Sequence, residues 1–185
     1  MKTLAITILC LFSLFVCSAY AQDAQYLQDI SVLVESGTSS GSGVVITREL
    51  KVKPDSPDLV KVNLVWSAGH VVKGLRAVRS FVDSTTGQEK KVIEYKPAFV
   101  VKQLNENGRK VGEVRMEAKV LKYSDSETGH DLAILMVLKK DFITASAKFY
   151  LGDDIPQVGT PLFHVGSLLG SDGANSLTNG IISQI

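Results

Sequence analysis

The chain is poor in cysteine, and its two cysteines, Cys10 and Cys17, both lie near the N-terminus. It also lacks an excess of charge of one sign, because 20 Lys and Arg side chains oppose 19 Asp and Glu, for a formal net charge of +1. A sequence without such an excess gives no electrostatic reason to bind nucleic acid or an anionic membrane surface. If the N-terminal segment is removed, no disulfide can form, and packing alone must stabilise the fold.

The N-terminal segment, residues 1–21, has the parts of a secretory signal peptide in the usual order. Lys2 supplies a positive charge, residues 4–15 form an apolar run too short to span a bilayer, and Ala19-Tyr20-Ala21 matches the small-x-small cleavage pattern. Lipid attachment at Cys17 is the alternative, but Phe15 and Val16 are poor residues to stand just before a lipid-modified cysteine. We therefore predict cleavage after Ala21, export to the periplasm or the exterior, and no membrane attachment afterwards.

The hydrophobic period along the rest of the chain is mainly two, which indicates β-strands. Ile30, Val32 and Val34 alternate with polar neighbours, and the run from Val60 to Trp66 does the same. Further β-rich runs, separated by turn residues, span 77–82, 91–102, 111–123, 132–138, 161–165 and 176–185. Many short strands at this spacing predict an all-β sandwich or barrel, with one short helix at Ala68–Lys73.

Two short islands contain residue types that are used in proton transfer. His70 follows an apolar strand and the small-residue turn Ser67-Ala68-Gly69, an order that would bring an imidazole to the rim of a barrel. Asp131 opens the apolar run 132–137, which would shield its carboxylate from water. Histidine titrates near neutral pH and suits a general base, and an aspartate can orient its ring. Taken alone, each residue fits an ordinary surface position as well.

In this order, the two islands resemble the histidine and aspartate motifs of trypsin-like serine endopeptidases, most closely the HtrA-type branch. Gly41-Ser42-Gly43-Val44-Val45-Ile46 resembles the strand that precedes the histidine in that family. Segments 163–170 and 176–183 resemble the two segments that precede its nucleophile loop. Leu168 departs from the pattern, because a proline usually stands there, and Ser67 and Gly69 are milder variations.

The resemblance implies an all-β, chymotrypsin-like double β-barrel. The first barrel is expected at 25–139, and a linker with the opening strands of a second, truncated barrel at 140–185. His70 is expected to act as the general base and Asp131 as its orienting carboxylate in the hydrolysis of peptide bonds. The substrate would then be a polypeptide, and no cofactor is expected.

The serine of the family's Gly-Asn/Asp-Ser-Gly-Gly motif does not occur in the 185 residues. Ser171 lies in a superficially similar Gly-Ser-Asp-Gly, but the family's nucleophile follows the strand that begins near Leu177, so we reject Ser171, Ser176 and Ser183 on their order. We expect the serine and the oxyanion-binding amides beyond Ile185, and the 185-residue chain to be inactive. The alternative is a non-catalytic, chymotrypsin-fold protein-binding module that has lost its nucleophile.

Other chemistries find little support in the sequence. The histidines at positions 70, 130 and 164 form no His-x₃-His pair, which argues against zinc. The glycines of segment 166–173 precede no Gly-Lys-Ser/Thr, so they form no phosphate-binding loop. Lys and Arg residues are scattered rather than interleaved with aromatics, which again argues against nucleic acid. His130 is adjacent to Asp131, but in an extended segment it would point the other way, so we expect it to take no part in the site. No pattern in the sequence indicates an oligomeric state.

Overall fold

The computed structural model describes residues 23–37, 39–51, 55, 57–106, 109–139, 141–168, 170 and 172–184. The predicted signal peptide, residues 1–21, lies outside the described residues. Within them, the helical and extended elements follow the chain as α1 (23–30), β1 (Ser31–Glu35), β2 (Ser40–Lys51), β3 (Leu59–Ala68), α2 (Gly69–Val72), a 3₁₀ turn (Lys73–Leu75), β4 (Arg76–Val82), β5 (Glu89–Tyr95), β6 (Ala98–Glu106), β7 (Arg109–Ser124), β8 (Leu132–Val137), β9 (Pro161–Leu168) and β10 (Gly173–Ile181).

Six of these strands close into an antiparallel barrel in the order β1-β2-β3-β8-β7-β6. The sheet closes where β1 pairs with β6, with Val34 opposite Val100. Closure gives each of the six strands a partner on both sides, so the barrel has no free edge strand. The all-β class predicted from the sequence is thus confirmed, in the form of a six-stranded barrel.

The interior of the barrel contains mainly valine and alanine side chains. Burial alternates along β3 and β8, as it does on any strand with one face toward a core. On β3 the buried positions are Asn63, Val65 and Ser67, whereas the apolar set from Val60 to Trp66 lies half-buried on the opposite face. The side chains of the principal core come from all six barrel strands, α2, the 3₁₀ turn and the segment after β8: Val32, Val34, Val45, Val65, Val71, Val72, Leu75, Ala98, Val100, Ala118, Val120, Ala133, Leu135, Val137 and Ile143. Because α2 contributes two of these valines, the helical turn closes one end of the barrel.

Gly41 on β2 makes room for that helical turn. A Cβ at this position would lie 2.5 Å from a methyl carbon of Val71, which is closer than packed atoms allow. The first glycine of the Gly-Ser-Gly motif therefore has a packing reason, because it allows α2 to lie against β2.

A second, smaller core lies on the outside of β2 and β3. Ile30 of α1 packs there with Ile46 and Ala147, and Trp66 lies edge-on to Phe149, with ring centroids 5.2 Å apart. Buried Asn63 fixes the segment after β8: its Nδ2 donates to the Ile143 carbonyl at 2.8 Å, and its Oδ1 accepts the Ile143 N–H at 2.9 Å. The first part of the polar stretch predicted as a linker thus lies against the barrel, whereas residues 150–158 are exposed.

Two hairpins are attached to the barrel. In the first, β4 pairs with β5 and with no other described strand. In the second, β9 pairs with β10, from Pro161 opposite Ile181 to Leu168 opposite Gly173. The second hairpin docks on the barrel through a hydrogen bond from the Ser167 N–H to Ser42 Oγ (2.8 Å), and on α1 through one from Gln28 Nε2 to the Asn175 carbonyl (3.2 Å).

The structure differs from the sequence expectation at two places. Ile30 ends a helix rather than opening a strand, and β1 begins only at Ser31. The run 91–102 is not one strand but two, because Pro97 has no N–H to donate and separates β5 from β6. Within the described residues, no helix has the length and hydropathy needed to cross a bilayer.

Candidate active site

His70 lies on α2, at the end of the barrel that this turn closes. Its neighbours Gly69 and Val71 are buried, while the imidazole projects outward with 61% of the side chain exposed. A Cβ at Gly69 would collide with the Ser124 carbonyl oxygen, so only glycine allows α2 to lie this close to the end of β7. The small-residue turn before His70 therefore sets the position of the ring.

Asp131 lies directly before β8 and has a left-handed backbone, with φ of 52°. Non-glycine residues seldom adopt this conformation, although aspartate does so more readily than most. The Asp131 carbonyl accepts the Gly69 N–H at 3.0 Å, which ties the residue to the start of α2. The strained conformation is therefore held by contacts with the segment that contains His70, a pattern common at functional sites.

The two predicted site residues meet through a two-pronged contact, although 61 positions separate them along the chain. Asp131 Oδ2 lies 2.7 Å from His70 Nδ1, and Asp131 Oδ1 accepts the His70 backbone N–H at 2.8 Å. One carboxylate thus fixes both the ring and the backbone of the histidine. The carboxylate side chain is 31% exposed against 61% for the ring, so Asp131 is the more buried partner.

The electrostatics of this contact determine which ring nitrogen carries the proton. The hydrogen bond from the His70 ring, and then the one from its backbone, lower the pKa of Asp131 below its usual value of 3.8. An ionised carboxylate can only accept hydrogen bonds, so Nδ1 must donate. In the neutral ring Nε2 then has a free lone pair, which is the form that a general base requires.

The hairpin β9–β10 docks next to this end of the barrel. Ser42, which accepts the Ser167 N–H, follows Gly41, and Gly41 is the position that allows Val71 of α2 to approach. Segments 163–170 and 176–183, which resemble those before the family's nucleophile loop, are therefore attached beside β2, the strand against which α2 packs.

The serines of this hairpin make contacts of their own. The Ser176 hydroxyl donates to the Gly173 carbonyl at 2.6 Å. Ser171 lies outside the described residues, so the structure gives it no position. No hydrogen bond joins His70 Nε2 to any residue that the structure describes.

The other histidines take no part in the contact. His130 is exposed, and its backbone N–H donates to Ser124 Oγ at 3.0 Å. His164 is an exposed residue of β9. In the described part of the chain, no three His, Cys, Asp or Glu side chains gather into a group that could hold a metal ion.

Sequence reasoning missed a polar cluster beside the pair. Lys73, just after α2, forms ion pairs with Asp125 (3.3 Å) and Glu127 (3.2 Å) in the loop that leads to Asp131. The sequence gave little indication of this cluster, because Lys73 and the two acidic residues lie 52 or more positions apart and match no known motif.

Neither a scan against models of protein families nor a search of curated proteins finds a match to this chain. The resemblance to trypsin-like endopeptidases therefore stays a prediction from the motifs.

Proposed function

We propose that the protein belongs to a serine-type endopeptidase system in which His70 and Asp131 are two members of a Ser-His-Asp triad. The observation that carries the proposal is the 2.7 Å contact between His70 Nδ1 and Asp131 Oδ2 at the rim of a closed β-barrel. The His70 backbone N–H also donates to Oδ1 of the same carboxylate. Two unrelated surface residues would seldom share two such hydrogen bonds.

In the proposed reaction, His70 Nε2 accepts the proton of a serine hydroxyl as the oxygen attacks the peptide carbonyl. Asp131 stabilises the resulting imidazolium, and the ring then gives its proton to the leaving amine. Backbone N–H groups near the serine would stabilise the negative oxygen of the tetrahedral intermediate. The substrate is a polypeptide, and the chemistry needs no cofactor.

The finer fold that fits this function is chymotrypsin-like. The six-stranded barrel would be the first of two, and β9–β10 would open the second. In the resembled family, the nucleophile follows the strand that here matches residues 176–183, so the proposal requires a serine C-terminal to β10. Export through the predicted signal peptide belongs to the same proposal.

The second candidate function is a polypeptide-binding module with no catalysis. The 185 residues contain no Gly-Asn/Asp-Ser-Gly-Gly motif, and a protein that lacks this motif altogether would be such a module. The two candidates differ in what His70 does. It is essential for turnover in the endopeptidase, and it is dispensable for binding in the module.

The test is an assay of polypeptide cleavage by the protein purified from the cells that make it. His70→Ala is expected to lower kcat by roughly 10⁶-fold, about 8 kcal/mol, and Asp131→Asn by roughly 10⁴-fold. His130→Ala and His164→Ala are matched controls, since both histidines are exposed and neither side chain hydrogen-bonds to the Asp131 carboxylate, and they should retain activity. A fluorophosphonate probe should modify one serine, and only when His70 is present.

Two results would contradict the endopeptidase proposal. One is cleavage by His70→Ala at the rate of the unaltered protein. The other is tight binding of a polypeptide without turnover, with the same affinity in His70→Ala, which would leave the binding module. The purified 185-residue chain should show no measurable cleavage, and serine-dependent turnover by it would return Ser171 or Ser183 to consideration.

A further inference from the structure

The loop between β7 and β8 contains a second carboxylate, that of Asp125, which accepts hydrogen bonds from several donors. Asp125 Oδ2 accepts the Tyr123 hydroxyl at 2.8 Å, and Oδ1 accepts the Glu127 N–H at 3.0 Å. The Tyr123 ring packs against Tyr95, with centroids 5.8 Å apart, beside the principal core. Asp125 thus ties the start of the loop to the packed interior and also shapes the turn that follows it.

Lys73 joins this loop to the segment that contains His70. It follows α2, and its Nζ lies 3.3 Å from Asp125 Oδ2 and 3.2 Å from Glu127 Oε1. The cation therefore contacts two acidic side chains of the β7–β8 loop. Since Asp131 lies at the end of this loop, the cluster and the His70–Asp131 contact join the same two segments.

We propose that Lys73 and Asp125 are positioning residues, which hold the β7–β8 loop against α2 so that the Asp131 carboxylate stays aligned with the His70 ring. The inference rests on the proposed function, because it assigns a role to residues that touch neither substrate nor the reacting atoms. A left-handed aspartate persists only where its surroundings fix it. The Gly69–Asp131 backbone bond fixes one end of the loop, and the Lys73–Asp125 contact fixes the other.

An isolated surface ion pair would not support such a role, because exposed pairs contribute little. Here the acceptor is only 23% exposed and also binds Tyr123 and Glu127, so its position is set before Lys73 contributes. Lys73 therefore binds a carboxylate whose position is already fixed. Forming the pair therefore restrains only the lysine, so less side-chain entropy is lost than in a surface pair in which both partners are free.

The experiment measures two properties of the folded chain that need no turnover. The first is amide hydrogen exchange across residues 124–131. The second is the low-field proton signal of His70 Nδ1–H, whose lifetime reports how long the bond to Asp131 persists. Lys73→Ala is expected to speed both exchange processes by about two- to five-fold, the range expected for one exposed pair. Asp125→Ala, which also removes the acceptor for Tyr123 and Glu127, should speed them by roughly tenfold or more.

Three variants provide the controls. Lys73→Arg keeps the charge and should restore most of the protection. Lys110→Ala removes a lysine of similar exposure from an ordinary surface ion pair on the distant β6–β7 hairpin, 2.9 Å from Glu113, and should change neither signal. The double variant Lys73→Ala with Asp125→Asn should be less than additive, because both changes remove the same contact.

The outcomes separate this inference from the proposed function. If the unaltered protein shows the Nδ1–H signal, and both Lys73→Ala and Asp125→Ala leave it and the loop exchange unchanged, the positioning role is wrong while the endopeptidase proposal stands. If the unaltered protein shows no such signal, Lys73 and Asp125 have no pair to position, and the assignment of the triad fails as well.

Discussion

The closed barrel and the β9–β10 hairpin are built from similar β-rich sequence, yet they bury their apolar side chains to different extents. In the barrel, Val65, Val100 and Leu135 have no exposed surface. In the hairpin, Leu162 is 48% exposed and Ile181 is 64% exposed. The difference follows from closure, because the six barrel strands enclose an interior that excludes water, whereas β9 and β10 pair only with each other among the described strands and enclose none.

This comparison shows where the candidate site gains its rigidity. His70 and Asp131 both lie at the end of the closed barrel. His70 is on α2, which contributes core side chains, and Asp131 directly precedes β8, which does the same. The hairpin has only two strands, and two-stranded hairpins are marginally stable on their own. A His–Asp contact held by a barrel can therefore keep its geometry whatever the hairpin contributes.

The largest expected effect is on the barrel core. Leu135→Ala should lower the free energy of unfolding by about 2–5 kcal/mol, because it removes a fully buried side chain and leaves a cavity. The matched control Leu162→Ala, in the hairpin, should cost much less, since nearly half of that side chain is already exposed. Urea unfolding measures both. Equal losses would contradict the division between a packed barrel and an open hairpin.

A smaller effect is expected where the segment after β8 attaches to the barrel. Asn63→Leu keeps a similar volume but leaves the buried N–H and carbonyl groups of Ile143 without their partner. We expect a loss of about 1–3 kcal/mol in unfolding free energy, the usual cost of unsatisfied buried groups. Asn105→Leu, at the open end of β6, is the control and should be close to neutral. A neutral Asn63→Leu would show that the segment is not held by this side chain.

The acid stability of the protein should depend on the two aspartates of the β7–β8 loop. The Glu127 N–H and the Tyr123 hydroxyl lower the pKa of Asp125 from 3.8 to about 2, and the His70 hydrogen bonds lower that of Asp131. Because the folded pKa is below the unfolded one, the stabilisation is complete above the unfolded value and is lost as pH falls through the folded value.

We therefore expect unfolding midpoints in urea to fall between about pH 4 and pH 2, the window set by the Asp125 values. Asp125→Asn should flatten this dependence, because the variant has no carboxyl group to protonate at that position. Glu113→Gln, in the exposed pair with Lys110, serves as the control. A pH dependence unchanged in Asp125→Asn would contradict the contacts assigned to this side chain.

The smallest effect is expected on the outer surface of the hairpin. Ile181→Thr keeps a β-branched residue at a position that is 64% exposed, so the unfolding free energy should change by no more than about 0.5 kcal/mol. Thermal unfolding monitored by circular dichroism measures the change. A loss of several kcal/mol would mean that Ile181 is packed in solution against something that the described residues do not include.

Much of the barrel could be predicted from the sequence, because a period of two marks strands with one buried face. On β3 the pattern located the strand but not its core face, because the structure buries Asn63, Val65 and Ser67 and leaves the apolar set from Val60 to Trp66 half-buried on the opposite face. On β8 every residue is apolar, so its buried face could not be read from the alternation. The helix at 23–30 was missed, because its apolar side chains Leu27 and Ile30 pack on the outside of the barrel and are too few to show a helical period. Ile30 also fitted the alternation of β1.

The candidate site could be predicted in part. The motifs located His70 and Asp131, but the left-handed backbone of Asp131 and its second bond, to the His70 N–H, depend on long-range contacts that no local pattern encodes. The same holds for Lys73 and Asp125, which meet only because the barrel closes and brings α2 beside the β7–β8 loop. Their catalytic and positioning roles stay predictions.

The most direct test of the central claim is the protonation pattern of the His70 ring, read from nitrogen chemical shifts by NMR at a pH where the ring is neutral. If Asp131 holds the ring as described, the proton resides on Nδ1 and Nε2 is unprotonated in the unaltered protein. Asp131→Asn should abolish this preference without unfolding the barrel, whereas Asp141→Asn, another aspartate with a left-handed backbone, should leave it unchanged. A ring with its proton on Nε2, or the same pattern in Asp131→Asn, would contradict the assignment of His70 and Asp131 as a catalytic pair.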